Sequence, residues 1–531
     1  MKVTKYIIVF VGLALLSACK TSQILTAGLN YITAENVIAK KAPLSEIERQ
    51  RWSHLDIQKD SIPGLSVDKA YTELLSKLKP SPIIVAVIDS GIDVNHEDLQ
   101  GRIWTNTKEI PGNGIDDDKN GYIDDVHGWN FLGDINNENM EVTRLMKILK
   151  KDDPKYAAIK KAFDKKLSEA KQEKFQVDMI NKMLESVDEY FGRKNYGLND
   201  IKNIESTKPM ILNSKRALIS ILETDQMSMT KFREEIKKFT DQTYKKLNYN
   251  LNLEFEARSV LNDDPNNWNT IGYGNNQVVG PNVEDADHGT HVSGIMAQLR
   301  GNGKGGDGVV KDNIQIMCLR AVPDGDEYDK DIAKAIRYAV DNGAKIINGS
   351  FGKGYATHPE WLIEAIQYAA KKDVLIVHAA GNDNEEVKED NNFPNDTKNG
   401  KEVANNFINI GALSYTWDEK LPASFSNYSK TMVDIFSPGN DIYASIPNNK
   451  YDFYPGTSMA SPNAAGVAAL LRSYFPKLTA EQTKKILLES GVSVPIKVNI
   501  PGSDKKVSFT ELCKTGKIVN AYNAVLMALR K

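Results

Sequence analysis

The sequence predicts an α/β fold built on a parallel sheet, and three stretches carry that prediction. Ile83-Ile84-Val85-Ala86-Val87-Ile88 is an unbroken apolar, mostly β-branched run of strand length, the pattern of a strand covered on both faces. Ile314 to Leu319 reads the same way, which makes Cys318 a buried strand residue. Asn463 to Leu471 is rich in alanine with a glycine at Gly466, so a helix there can pack closely inside a core.

The elements follow in chain order. The first strand ends in Asp89-Ser90-Gly91, and an acid at the carboxyl end of such a strand is where open α/β sheets build their sites. Asp116-Asp117-Asp118-Lys119-Asn120-Gly121-Tyr122-Ile123-Asp124-Asp125 matches the first half of an EF-hand loop, with Asp116, Asp118, Asn120, Tyr122 and Asp124 as candidate calcium ligands. Position twelve of that template is His127 where a bidentate glutamate belongs, so Asp124 or Asp125 would have to substitute, and a solvated acidic turn accounts for the same residues.

From Asp153 to Leu247 the composition shifts to lysine, glutamate and apolar residues at helical spacing: Ile159, Phe163, Leu167 and Ala170, then Met179, Met183 and Val187, then Ile211 to Phe239. Amphipathic helices separated near Gly192 to Asn203 are expected, forming an insertion over 141–260. Neither histidine nor cysteine occurs between Asp153 and Leu247, which argues against a second active site or a soft-metal site there.

His288-Gly289-Thr290-His291 opens the next predicted helix, with His291 read as a hydrogen-bonded core residue one turn below His288. Pro455-Gly456-Thr457-Ser458 places a hydroxyl between a glycine turn and the small-residue helix, where developing negative charge is favoured. Alone, Ser458 would read as a helix N-cap. With Asp89 and His288 it completes an acid, a base and a nucleophile in the order Asp, His, Ser.

At these residues the chain resembles the subtilisin-like serine peptidases, the subtilase family (peptidase family S8). The resemblance extends to Ala379-Ala380-Gly381-Asn382, Asn348-Gly349-Ser350-Phe351-Gly352, Ala423-Ser424-Phe425-Ser426-Asn427 and Ser437-Pro438-Gly439. It implies a doubly wound α/β fold, a three-layer sandwich around a mostly parallel sheet, with catalytic-domain segments 52–140 and 261–525 flanking the helical insertion. It implies Asp89, His288 and Ser458 as the triad and Asn382 as the oxyanion-hole side chain. The main specificity pocket would be lined by Ser350, Phe351, Gly352, Ala379, Ala380 and Gly381. None of the six is charged, although the acidic run Asp383 to Asp390 follows at once. Protein or peptide substrates are expected, with no cofactor required for the chemistry. The readings from other classes are a noncatalytic peptide-binding lipoprotein on the same fold and an esterase, because a triad does not itself choose amide over ester.

Two features depart from compact relatives. Asp89 and His288 stand 199 positions apart (288 − 89), and about thirty residues separate Cys19 from Trp52, too few for a folded inhibitory propeptide. At 531 residues the chain is longer than one ordinary domain, and the insertion accounts for the excess. With 67 basic and 70 acidic side chains the net charge is −3, and no basic patch with interleaved aromatics suggests nucleic acid. Three cysteines are too few for a disulfide scaffold.

The N-terminus supplies an address. Lys2 and Lys5 precede the apolar stretch Tyr6 to Leu16, which has the length of a signal-peptide core and is too short to span a bilayer comfortably. Leu16-Ser17-Ala18-Cys19 looks like a bacterial lipobox, so residues 1–18 are expected to be removed, Cys19 lipidated and 19–51 left as a linker. The expected partner is a membrane surface reached through acyl chains, and the expected place is the cell envelope, the outer membrane in a diderm. An ordinary secretory signal cleaved near Ala18 predicts a similar compartment.

Overall fold

The computed structural model describes residues 28–531, so the signal-peptide stretch and Cys19 lie outside the described residues. The chain forms two compact units, one of residues 137–257 with Asp324–Asp326, the other of the remainder.

The larger unit is organised by a nine-stranded sheet. Its strands are β1 (Ile83–Asp89), β2 (Gly128–Asn130), β3 (Ile314–Arg320), β4 (Ile346–Gly349), β5 (Leu375–Ala379), β6 (Phe407–Leu413), β7 (Ile435–Pro438), β8 (Val492–Ser493) and β9 (Lys517–Ile518). Their order is β8-β9-β7-β6-β5-β4-β1-β3-β2. The β8–β9 edge is antiparallel and every other pairing in the sheet is parallel. Because side chains alternate along a strand, the unbroken apolar runs feed two cores: Val85, Val87, Ile316 and Cys318 enter one, and Ala86, Ile88, Met317 and Leu319 enter the other. The helices α1 (Asp287–Ala297), α2 (Asp329–Asp341), α3 (Pro359–Lys371), α4 (Thr457–Tyr474), α5 (Ala480–Ser490) and α6 (Ala521–Arg530) cover the two faces. Apolar residues of α1, α4, α5 and α6 fill the first core, and those of α2 and α3 fill the second. This is the doubly wound arrangement. Ala464, Ala465, Ala468 and Ala469 are all buried on α4, which is why that helix can run through the middle of a core.

Two boundaries differ from the sequence reading. Residues 28–51 are not a free linker: Ile32 N donates to Asn523 Oδ1 at 2.7 Å and Asn523 Nδ2 donates back to Ile32 O at 2.9 Å. Glu46–Arg51 is a helix with a Ser45/Glu48 capping box, leading into the buried Trp52. The unit also runs past residue 525, because Leu526 and Leu529 of α6 are core residues. Neither attachment leaves a periodic signal, since Ile32 and Asn523 are 491 positions apart.

The smaller unit is helical, with helices Glu141–Ile148, Tyr156–Phe191, Leu198–Lys202, Pro209–Thr224 and Met229–Lys245. Val187, Ile201, Leu218, Leu222 and Phe232 share its core. The second of these helices is a single 36-residue element whose buried stripe includes Phe163, Ala170, Val177 and Leu184, spaced by sevens. Met179, expected to be buried, is 45% exposed. A seven-residue repeat drifts against the 3.6-residue turn over such a length, so the stripe passes beside the positions that shorter windows select. The segment Asp324–Asp326 belongs to this unit through Glu138 N to Asp324 O at 2.9 Å, Glu141 N to Asp326 Oδ2 at 2.7 Å and Arg144 Nη1 to Asp326 O at 2.8 Å. Among the described residues no helix is long and apolar enough to cross a membrane.

Candidate active site

Asp89 ends β1, is nearly fully buried, and accepts from Ser90 N at 2.8 Å through Oδ1. The same oxygen lies 2.7 Å from His288 Nδ1. His288 is the second residue of α1, and Gly289 makes the approach of helix to strand possible: a Cβ there would come within 2.2 Å of Gly91 O and 3.0 Å of Asp89 Cβ. Burial disfavours the imidazolium, but the charge of Asp89, its hydrogen bond and the nearby Asp287 outweigh that penalty and hold His288 above its ordinary value. His291 behaves as a core histidine. Burial lowers it to about 3, its Nε2 faces Asp452 O at 3.1 Å, and its ring stacks on Tyr454 at 4.6 Å.

Tyr454 also donates to Asp287 Oδ2 at 3.0 Å, which ties the segment entering α4 to the residue before His288. Four positions on, Ser458 occupies the first turn of α4, half-buried, with Oγ donating to Ser350 O at 3.2 Å. Ser350 returns the contact through Oγ to Ser458 O at 2.8 Å and accepts from Asn348 Nδ2 at 2.9 Å. Asn382 follows Gly381, whose φ of +102° is a conformation that favours glycine. Its Oδ1 accepts from Thr457 N at 2.8 Å and Thr457 Oγ1 at 2.9 Å, so the acceptor end of the amide is consumed and Nδ2 is the end left to donate.

The structure thus brings Ser350, Gly381, Asn382 and Ser458 together at the start of α4. Phe351 packs edge-on against His378 at 5.8 Å, Gly352 lies next to Phe393, and Ala379 and Ala380 are buried at the end of β5. Sequence reasoning assigned no role to Asn427, which organises the same loop: its Nδ2 donates to Ala380 O at 3.0 Å and its Oδ1 accepts from Asp383 N at 2.9 Å and Glu385 N at 3.0 Å. Its only sequence signal was its place in the Ala423-to-Asn427 segment.

The acidic loop departs from the EF-hand expectation. Carboxylate oxygens of Glu109, Asp116 and Asp118 lie within 4.8 Å of one another. Asp124, proposed as a ligand, adopts a left-handed backbone (φ +53°) and spends its carboxylate on Gly112 N and Gly114 N at 2.8 and 2.9 Å. Asn120 Nδ2 donates to Asp125 Oδ2 at 2.8 Å, and the Tyr122 ring packs edge-on against Trp129 and Tyr338, each at 5.0 Å. Glu109, which precedes the recognisable loop, stands in the group in place of Asp124, and it also accepts from Asp118 N and Asp124 N at 3.0 and 3.1 Å.

The subtilase family profile matches residues 81–510. A thermophilic serine proteinase from Bacillus sp. (strain AK1) is 38% identical over 243 residues, 45% of this chain and 52% of that protein. Thermitase from Thermoactinomyces vulgaris is 33% identical over 239 residues, 45% of this chain and 74% of thermitase. The major intracellular serine protease of Bacillus subtilis (strain 168) is 36% identical over 190 residues, 35% of this chain and 55% of that protein. The chain spans about half the length of the first and third of these relatives. A profile covering most of the chain, from before β1 to beyond β8, together with an α/β sheet of this winding, establishes that the chain belongs to the subtilase family.

Proposed function

We propose that the protein is a serine endopeptidase that cleaves peptide bonds through Asp89, His288 and Ser458. The observation that carries this reading is the 2.7 Å contact between the buried Asp89 carboxylate and His288 Nδ1, because it fixes the imidazole tautomer that leaves Nε2 as a base. Ser458 Oγ rotates away from Ser350 O to attack the scissile carbonyl, and His288 takes its proton as the bond forms. The oxyanion receives Asn382 Nδ2 and the Ser458 backbone N–H at the positive end of α4. The imidazolium then protonates the leaving amine, and a water activated by His288 hydrolyses the acyl-enzyme. The test is fluorophosphonate labelling of the purified protein followed by casein and small-ester hydrolysis. Labelling with casein cleavage is expected; ester turnover without casein cleavage would make it an esterase, and absence of labelling a noncatalytic binding protein.

The substrates we propose are proteins or peptides met at the bacterial cell envelope, with the enzyme anchored through lipid on Cys19. Support comes from the lipobox-like Leu16-Ser17-Ala18-Cys19. Cys19→Ser is expected to move the protein from the membrane fraction to a soluble or unprocessed form, since a hydroxyl cannot take up the thioether-linked diacylglycerol. Unchanged membrane partitioning of that variant would refute the anchor.

Glu109, Asp116 and Asp118 are proposed to hold a structural calcium ion. Three hard oxygen donors within 4.8 Å suit that cation, and they are held in place by backbone amides, Glu109 by Asp118 N and Asp124 N, Asp116 by Asn120 N and Gly121 N, Asp118 by Asn120 N. A calcium ion there would stabilise the loop by binding only the folded state. Chelation is expected to lower Tm and millimolar calcium to restore it, with Asp116→Ala plus Asp118→Ala abolishing the difference. Equal Tm values in chelator and calcium would leave a solvated acidic turn.

A further inference from the structure

We infer that Arg320 is a positioning residue of the triad, whose guanidinium fork clamps the carboxyl end of the acid-bearing strand to the segment that delivers the base. This rests on the peptidase reading and deepens it. Arg320 ends β3 directly opposite Asp89 in the parallel register, and both side chains point to the face that α1 covers, because Val87 and Cys318, two residues earlier, enter the core on that face. Arg320 is 2% exposed, and all five of its side-chain N–H groups are engaged. Nε donates to Ser90 O at 2.9 Å, Nη1 to Asn130 Oδ1 and Gly133 O at 3.1 Å each, and Nη2 to Ile135 O and Asn136 Oδ1 at 2.7 Å each. Gly280, in the left-handed region with φ +86°, leaves room for the fork: a Cβ there would come within 2.6 Å of Nε.

None of the five acceptors is a carboxylate. Burial lowers Arg320 to about 10, against the favourable charges of Asp285 and Asp134, so it remains a cation at neutral pH. A buried cation held by neutral groups is a poor source of stability, since an apolar side chain of similar volume avoids its desolvation penalty. What the fork supplies is geometry. On the acid side it holds Ser90, whose N–H orients the Asp89 carboxylate through Oδ1, the oxygen that meets His288 Nδ1. Among the described residues no donor reaches Asp89 Oδ2, so the direction of the carboxylate depends on where Ser90 stands. On the base side two paths from the fork converge on Asp285. Ser90 Oγ donates to Asp285 O at 3.0 Å, and Asn136, held by Nη2, donates through Nδ2 to Asp285 Oδ2 at 2.9 Å. Asp285 lies in the helical turn Val283–Ala286, which runs straight into α1 and so into His288.

The experiment compares Arg320→Met, Arg320→Lys and Asn136→Ala with the wild-type protein on an internally quenched peptide built around a casein cut site, at a temperature where each variant's near-UV circular dichroism matches wild type. Arg320→Met is expected to lower kcat by about 10²-fold, the cost of an ångström-scale misplacement, with KM changed less than about threefold, since the fork touches none of the pocket residues named above. Lysine keeps the charge but not the fork, so Arg320→Lys is expected to stay at least about tenfold below wild type. Asn136→Ala, at a half-buried position, cuts only the base-side path and is expected to lower kcat about tenfold, with little further loss when combined with Arg320→Met. The direct readout is the far-downfield proton resonance of His288 Nδ1–H in its bond to Asp89, which is expected to move upfield in Arg320→Met and in Asn136→Ala. A folded Arg320→Met with wild-type kcat or an unmoved resonance, full recovery in Arg320→Lys, or a loss confined to KM would each overturn the clamp. If Arg320→Met does not fold, Asn136→Ala decides, and wild-type kcat or an unmoved resonance there overturns the assignment. A wild-type protein that neither cleaves casein nor reacts with fluorophosphonate would instead remove the peptidase reading, with the resonance left to test the clamp.

Discussion

Ser458→Ala is expected to abolish fluorophosphonate labelling and to lower casein hydrolysis by about 10⁶-fold, the cost of losing the corresponding nucleophile in subtilisin. The neighbouring hydroxyls are already engaged: Ser350 Oγ donates to Ser458 O at 2.8 Å and Thr457 Oγ1 to Asn382 Oδ1 at 2.9 Å. The fold should be almost untouched, because Ser458 is half-buried and its Oγ makes a single long contact, 3.2 Å to Ser350 O. Losing such a bond costs at most about 1 kcal/mol, so thermal unfolding of the variant should fall within a few degrees of wild type. Residual labelling at wild-type rates would place the nucleophile elsewhere. A collapsed melting curve would mean that the lost activity reports unfolding, and His288→Ala would then carry the test.

The second large effect is expected for Asp89→Asn, with kcat falling by about 10⁴-fold, as a carboxylate-to-amide exchange does in another Asp-His-Ser triad. Asp89 Oδ1 receives both Ser90 N and His288 Nδ1. An asparagine that turns its nitrogen toward Nδ1 selects the tautomer with the proton on Nε2, which cannot accept from Ser458. The pH profile separates this from simple misfolding. The base must be neutral, so wild-type kcat/KM rises with pH through a pKa above the ordinary 6.5, where burial is outweighed by Asp89 and Asp287. Removing the Asp89 charge takes away the leading favourable interaction with the imidazolium, so the acid limb of the variant must move to lower pH. An acid limb that stays in place would show that the titrating group is not His288.

Much of the site's chemistry was legible because its signals are local. The run Ile83 to Asp89 announces a strand buried on both faces and an acid at its end, Gly289 follows the histidine proposed as base where helix meets strand, and the turn at Gly456 precedes the serine proposed as nucleophile. The long helices of the smaller unit were equally visible, since 36 residues without a breaker leave few alternatives. Their exact buried stripe was less so, because a drifting seven-residue repeat cannot be resolved in short windows.

The sequence by itself determined the fold class, the proposed order of Asp, His and Ser, and the presence of a helical insertion, all read from segments of neighbouring residues. Only the tertiary structure decided that Glu109 joins Asp116 and Asp118 while Asp124 caps backbone amides, and that Asn427 braces the loop on both sides of Asn382. It likewise decided that residues 28–51 bind a helix at the far end of the chain. These contacts join residues as many as 491 positions apart. Periodicity and turn chemistry encode what a segment becomes, whereas which polar groups meet is set by chain closure and by the requirement that buried donors and acceptors find partners.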